Sequence, residues 1–432
     1  LAVRSTAKGL YGIDEELHRE NRERLVARLR KGCVPAGSVV LLEGGKEPVR
    51  HATDHEPLFR QESFFGWAFG CRYPDCWGAI DVDSGKSVIF VPRLAPESAI
   101  WMGPLKSASE LAAEMGIDEG RYVEEVGDWV RGAVGEGGKV LVLEGLNTDS
   151  GREMKGAEVP GGGVSVDKEV LYGVMAECRV FKSDREIALM RAAGLVTSEA
   201  HLMLMAGVQP GMREDQLEAL YRFWAMFHGG MRHQSYTWIC GSGPNAAILH
   251  YGHAGAPNDR VIGDGEFVLC DCGNELHLYA TDVTTTFPSS GSFSPQQKVV
   301  YEAVLDAQNA VLEAMKPGTV WKDMQTLAYE KILTGLKAAG VVQGEVADMM
   351  EANLAGNVFM PHGLGHFLGI DTHDVGGYNP AGVERDSRPG YRSLRTTRIL
   401  APRMSITVEP GCYFIDSLLD AAFENPTLAP FL

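Results

Sequence analysis

Asp271 closes the strand-like run FVLCD, and Asp282, eleven residues further on, lies in LYATDVT. Alternate residues of a strand face the same way. Phe267, Leu269 and Asp271 are therefore expected on one face, and Leu278, Ala280 and Asp282 on one face of the return strand. A turn is expected between them at Gly273-Asn274-Glu275. Carboxylates on otherwise apolar faces are costly to bury unless a cation neutralises them. A fold for this chain has to solve that problem, and two distant residues are presented in a way that suits the solution. His366 follows the turn PHGLG, whose Gly363 and Gly365 permit close backbone approach. Glu409 ends the apolar run SITVE, and Pro410-Gly411 stops the strand there. Three carboxylates and an imidazole at one spot would form a cation site with mainly oxygen ligands, able to activate water at neutral pH. Each residue alone has a plainer reading: a turn acid, a hydrogen-bonded strand acid, a satisfied core histidine, a solvated strand-end glutamate.

The elements around these residues read as two domains, 1–175 and 176–432. In the first, residues 11–31 form a charged amphipathic pattern. Short β-rich runs follow at 38–43, 77–82, 87–91 and 139–143, with a hairpin about Asp83-Ser84-Gly85. Strands alternating with helical stretches imply an α/β layer domain. Residues 151–165 are glycine-rich and read as a loop. In the second, Ser183 with Glu186 makes a capping-box start. Helices are expected from there to Pro210-Gly211, and over 213–228, 295–315 and 321–339. Strand signals fall at 236–240, 266–272, 277–287, 404–409 and 412–415. That order predicts an α+β domain, long helices on one antiparallel sheet.

Composition narrows the function. A net charge of −17 argues against a nucleic-acid partner. No uninterrupted run of ~18 apolar residues is present, so no membrane partner is expected. The eight cysteines include no C-x-x-C pair and read as reduced thiols of a cytoplasmic protein.

In order, HYGHAGAPNDR, CDCGNELHLYATDVT, PHGLGHFLGIDTHDVGGY and TVEPG resemble the metal-dependent peptidases of the pita-bread fold (creatinase/aminopeptidase). The likeness is greatest to their Xaa-Pro dipeptidase branch, through GVER and RSLRTTR. It extends through TDHEPLFRQESFFGWAFG, VPRL, ECRVFKSD and GGMRHQSYTWICGSGPN to nearly the whole chain. The resemblance implies a pita-bread catalytic domain behind a smaller creatinase-like α/β domain, and hydrolysis of dipeptides with C-terminal proline. It implies two divalent metal ions, manganese above cobalt or zinc, on five ligands. Asp271, a bridging Asp282, His366 and Glu409 match four of them, with Glu409 also the general base. The fifth would be a glutamate on a later strand. The sequence ends 23 residues after Glu409 and offers only Glu424, in a stretch read as frayed helix or loop. With a start lacking methionine, it reads as a piece of a longer chain.

Carried over in the same way, His250 meets the leaving nitrogen and His373 donates to the scissile carbonyl. Tyr236 lines the pocket, and Arg395 holds the substrate carboxylate with its charged fork. Trp101 matches a loop tryptophan that reaches the partner subunit's site. A homodimer follows, for which the aromatic segment Phe64-Phe65-Gly66-Trp67 offers either an interface or a core. Two other functions fit parts of the pattern. One is aminopeptidase P activity on longer peptides. The other is a non-catalytic binding module, against which the four intact ligand positions speak.

Overall fold

A computed structural model of the chain describes residues 15–32, 34–380 and 382–432. Two compact units emerge, one of the described residues up to Ile187 and one of Ala188–Leu432.

The first unit opens with helix α1 (Glu15–Lys31), acidic in its first turn and basic in its last, which suits the helix dipole. Residues 11–14 of the expected helix lie outside the described residues. The strands are β1 (Val39–Glu43), β2 (Trp77–Asp81), β3 (Ser87–Val91), β4 (Glu119–Tyr122), β5 (Val140–Val142) and β8 (Val166–Asp167); β6 (Gly145–Leu146) and β7 (Glu153–Met154) make a separate small hairpin. The main sheet has the order β4-β3-β2-β1-β5-β8. β1, β2 and β3 pair antiparallel, whereas β3–β4, β1–β5 and β5–β8 pair parallel. The β2–β3 hairpin turns at Asp83-Ser84-Gly85, where the Ser84 amide donates to Asp81 Oδ1 at 2.7 Å. Val39, Leu41, Ala79, Val88, Phe90, Val140 and Val142 form the core with Val126 and Val130.

The aromatic segment is a core element. Phe64, Phe65 and Trp67 are at most 2% exposed in helix α2 (Ser63–Phe69). Trp67 Nε1 donates to Glu186 Oε1 at 3.1 Å. Seven consecutive residues without charge bury on all sides, so this segment offers no interface. Exposure concentrates instead in the helical turn Ala99–Met102, where Trp101 is 87% exposed between exposed Ile100 and Met102.

Helices α3 (Ala99–Met102), α4 (Ala108–Glu114), α5 (Val126–Ala133) and α6 (Val170–Val180) complete the first unit. Helix α7 (Asp184–Gly207), most of it in the second unit, starts at the expected box: the Ser183 amide donates to Glu186 Oε2 and the Glu186 amide to Ser183 Oγ. Among the described residues this helix alone is long and apolar enough, by length and composition, to cross a membrane. Arg191 and Glu199 interrupt its apolar stretch, so it holds no unbroken apolar run. Its Ala193, Val196, Ala200 and Leu204 are core residues. Helices α8 (Glu214–Gly229), α9 (Pro295–Ala314) and α10 (Trp321–Ala338) follow as expected.

The sheet differs from expectation. Instead of one there are two three-stranded sheets. The first joins β10 (Ile239–Ser242), β11 (Phe267–Asp271) and β14 (Thr284–Pro288). The second joins β9 (His233–Gln234), β12 (Asn274–Leu276) and β13 (Tyr279–Ala280). The expected 277–287 strand breaks because β12 and β13 are joined by a two-residue turn at His277-Leu278, both with positive φ (49° and 73°). The predicted turn residues Asn274 and Glu275 are themselves in strand β12. Residues 281–283 leave the ladder, so face alternation does not place Asp282. The expected strands at 404–409 and 412–415 form no ladder either; Ile406 makes an isolated bridge to Phe367. Residues 405–409 nevertheless run against 364–368. The Leu368 amide donates to Ser405 O, Thr407 to His366 O, and Glu409 to Leu364 O, at 2.8–3.1 Å. Two cores flank these segments. Val196, Leu217, Tyr221, Trp238 and Val268 pack beneath the Asp271 region. Trp321, Ile332, Phe359 and Leu364 pack beneath the His366 and Glu409 region.

Candidate metal centre and active site

The loop that follows β11 turns back at Gly273, where a Cβ would meet Thr281 O at 1.9 Å. Only glycine lets the two acid-bearing segments approach so closely. The Tyr236 hydroxyl lies between the acids, 2.5 Å from Asp271 Oδ1 and 3.0 Å from Asp282 Oδ1. Tyr236 thus orders the acids, a contact that the pocket role implied by resemblance does not include. The same device recurs at Gly365, where a Cβ would meet Thr407 O at 2.0 Å. This closeness sets His366 beside Glu409.

Asp282, His366 and Glu409 converge. Their ligand atoms lie within 4.8 Å of one another. His366 Nε2 is 3.1 Å from Asp282 Oδ2 and 3.0 Å from Glu409 Oε1. His366 Nδ1 lies 3.0 Å from Phe367 O. A carbonyl can only accept, so Nδ1 carries a proton and Nε2 is the nitrogen aimed at the acids. Thr407 Oγ1 donates to Glu409 Oε1 at 2.6 Å. The Asp271 carboxylate joins the group through Tyr236.

The electrostatics show what this cluster lacks. Burial, then the charge of Asp282, pushes Asp271 well above the usual carboxylate range. Burial lowers the His366 pKa, but hydrogen bonds to Asp282 and Glu409 outweigh it and raise the imidazole to about 10. Asp271 resisting ionisation and a histidine held protonated describe a site short of positive charge. Carboxylate oxygens with one imidazole nitrogen are a donor set for a hard or borderline divalent cation. The residues present fit such an ion, and binding would displace the His366 proton.

The remaining predicted residues fall as follows. The His373 ring stands edge-on to His366, centroids 4.5 Å apart. The residue is exposed as a whole, yet desolvation of its ring, His366 and Arg395 push its pKa down to about 3, so it is a neutral imidazole at pH 7. Arg395 is half-buried, and its charge and that of His250 both act on His373. Trp101 belongs to the first unit. Glu424 is exposed at the end of helix Asp416–Glu424, a formed helix where a frayed helix or loop was expected.

His362 is a further candidate that its sequence motif alone does not single out. Its Nδ1 is 2.9 Å from Gly363 O, and its Nε2 is buried without a hydrogen-bond partner. Its ring meets Tyr413 edge-on at 5.5 Å, and burial lowers its pKa. A buried imidazole lone pair with no donor suits a ligand group. The H-x3-H spacing in PHGLGH was the available signal.

Comparison with known proteins places this architecture. The sequence profile of metallopeptidase family M24 matches residues 188–428, and that of the aminopeptidase P N-terminal domain matches residues 18–142. The chain belongs to metallopeptidase family M24. It is 51% identical over 414 residues to an Xaa-Pro dipeptidase of Homo sapiens, covering 95% of this chain and 83% of that one. It is 34% identical over 420 residues to a probable Xaa-Pro aminopeptidase of Verticillium alfalfae, covering 96% and 87%. Among solved structures, aminopeptidase PepP of Pseudomonas aeruginosa matches with a TM-score of 0.78 at 29% identity, covering 97% and 90%. The fold is the expected one, a pita-bread catalytic domain behind a smaller aminopeptidase P-type domain.

Proposed function

We propose that this chain is a metal-dependent Xaa-Pro dipeptidase, hydrolysing dipeptides whose second residue is proline. Asp271, Asp282, His366 and Glu409 would hold two divalent ions, manganese by preference and cobalt or zinc as substitutes. When bound, the ions supply Lewis-acid activation of water and of the scissile carbonyl. The chain's own groups do the rest. Glu409, partly open to solvent and steadied by Thr407, takes the proton of the attacking water and returns it to the leaving nitrogen. Neutral His373 donates a hydrogen bond to the carbonyl oxygen as negative charge develops there. His250 meets the prolyl nitrogen. The Arg395 fork grips the free carboxylate, which selects dipeptides over longer chains.

The convergence of Asp282, His366 and Glu409, with Arg395 acting on the neighbouring His373, carries this reading. The dipeptidase relative at 51% identity supports the substrate class. The enzyme works as a homodimer with the Trp101 turn at the partner's site, supported by the exposure of Ile100, Trp101 and Met102. A cytoplasmic home is supported by the seven cysteines among the described residues being free, including Cys240 and Cys272 unjoined at an Sγ separation of 3.8 Å. Cleavage of Ala-Pro against Arg-Pro-Pro by the manganese-loaded chain tests the proposal. Turnover of Ala-Pro with little of the tripeptide is expected. The reverse preference would assign aminopeptidase activity, and no turnover of either would assign a binding module.

A further inference from the structure

Two side chains on one face of α7 touch neither acid but hold the chain beside both. Thr197 and His201 are four residues apart, hence one turn above the other on the same face. Thr197 Oγ1 is 2.8 Å from Thr281 Oγ1, one residue before Asp282. His201 Nε2 is 3.1 Å from Cys272 O, one residue after Asp271, and its Nδ1 is 2.9 Å from Thr285 Oγ1. Thr197, His201 and Thr281 are at most 4% exposed, and Thr285 is partly buried.

The polarity of these bonds is fixed by chemistry. Cys272 O can only accept, so His201 Nε2 carries the proton and Nδ1 accepts from the Thr285 hydroxyl. The Tyr221 hydroxyl donates to the same carbonyl at 3.2 Å, using its second lone pair. The His201 ring stands edge-on to Tyr221, centroids 5.4 Å apart, which fixes its orientation. On the other side, Thr281 Oγ1 donates to Asn274 O and accepts from the Asn274 amide, each at 3.0 Å. Its remaining lone pair takes the Thr197 proton. The segments are also tied to each other, the Cys272 amide donating to Val283 O at 3.1 Å. Backbone pairing brackets these segments, with Asp271 opposite Thr284 in the β11–β14 ladder and the Thr281 amide donating to Asn274 O at 3.0 Å. Residues 272–273 and 281–283 lie outside the ladders, and there the two side chains add the ties that trim the spacing.

We infer that Thr197 and His201 form a helix-borne ruler that sets the separation of the Asp271 and Asp282 segments, and so the affinity of the acid pair for a divalent cation. Both are positioning residues, and the inference rests on the metal site proposed above. A second-layer group of this kind changes metal affinity by ~10–100-fold when lost. Merely structural residues would lower the stability of the metal-free chain and leave the affinity of its folded fraction unchanged.

The test is manganese(II) binding to the metal-free chain by chelator competition, with the melting temperature of the metal-free form measured in parallel. Thr197→Val keeps the shape and removes one hydroxyl; His201→Leu removes both ring contacts. Both should weaken manganese binding, His201→Leu by ~10-fold or more. His201→Gln, whose amide can still donate to Cys272 O, should recover most of the loss. Unchanged affinity in Thr197→Val and in folded His201→Leu would overturn the ruler while leaving the metal site intact. If His201→Leu fails to fold, Thr197→Val decides alone. A wild-type chain that binds no manganese would overturn the metal site itself, and the ruler with it.

Discussion

At the residue scale, Asp282 links two parts of the site. It faces His366 through one oxygen and Tyr236 through the other. Asp282→Asn keeps the shape but removes charge from a site already short of compensation. It should abolish dipeptide hydrolysis and lower bound manganese in metal analysis; near-normal turnover at full metal content would remove Asp282 from the site. Arg395→Lys tests the other end. Lysine has the charge but not the fork. KM for Ala-Pro should rise roughly ten- to a hundredfold, equivalent to about 1.5–3 kcal/mol for hydrogen bonds to a charged group, with metal content unchanged. An unaltered KM would show that the substrate carboxylate sits elsewhere. Asp271, His366 and Glu409 were legible in sequence because each ends a strand-like run or follows a glycine turn, whereas Asp282 and Arg395 rested on the family resemblance, the face alternation expected for Asp282 not being kept. His362 was not legible, because what marks it is a buried nitrogen without a partner, a property of packing.

At the scale of elements, the site depends on close backbone approach. Gly365→Ala would drive a methyl into Thr407 O. The 405–409 segment would move off 364–368 and take Glu409 from His366. A stability loss of ~1–3 kcal/mol in denaturant unfolding is expected, with weakened manganese binding. The segment carrying Arg395 has its own anchor. Asp386 pairs with Lys322 Nζ at 2.6 Å and Arg388 Nη2 at 2.9 Å, and the Arg388 contact above all holds its carboxyl well below the usual range. A carboxyl with a depressed folded-state pKa contributes stability that is present above its unfolded value of about 3.9 and lost as pH falls below it. Melting temperatures from pH 7 to pH 3 should therefore fall more steeply below pH 4 in the wild type than in Asp386→Asn. Parallel curves would show that the pair contributes nothing. The long helices were legible because their signals are local, such as the Ser183–Glu186 box and the Pro210-Gly211 stop. The broken return strand was not, since His277 and Leu278 adopt a turn conformation that their side chains do not advertise. The missing ladder at 404–409 reflects a partner some forty residues upstream, in a glycine-rich stretch with no strand pattern.

At the scale of the whole molecule, the burial of Phe64, Phe65 and Trp67 shifts the interface argument onto the Trp101 turn. Sedimentation at micromolar concentration should give a dimer. Mixing Trp101→Ala subunits with subunits inactivated at Asp282 then tests site sharing. If Trp101 acts on its partner, mixed dimers pair the intact metal site with the mutated turn, and activity falls to that of the Trp101→Ala enzyme. If mixing only dilutes, the turn does not act across subunits. All of this depends on the cation that the acid cluster is built to receive. The most direct test is Ala-Pro hydrolysis by the chain freed of metal and then titrated with manganese(II). No activity without metal is predicted, with a rise that saturates at about two equivalents, as for two-metal hydrolases. Hydrolysis that persists in the metal-free chain, or that ignores added manganese, would contradict the account.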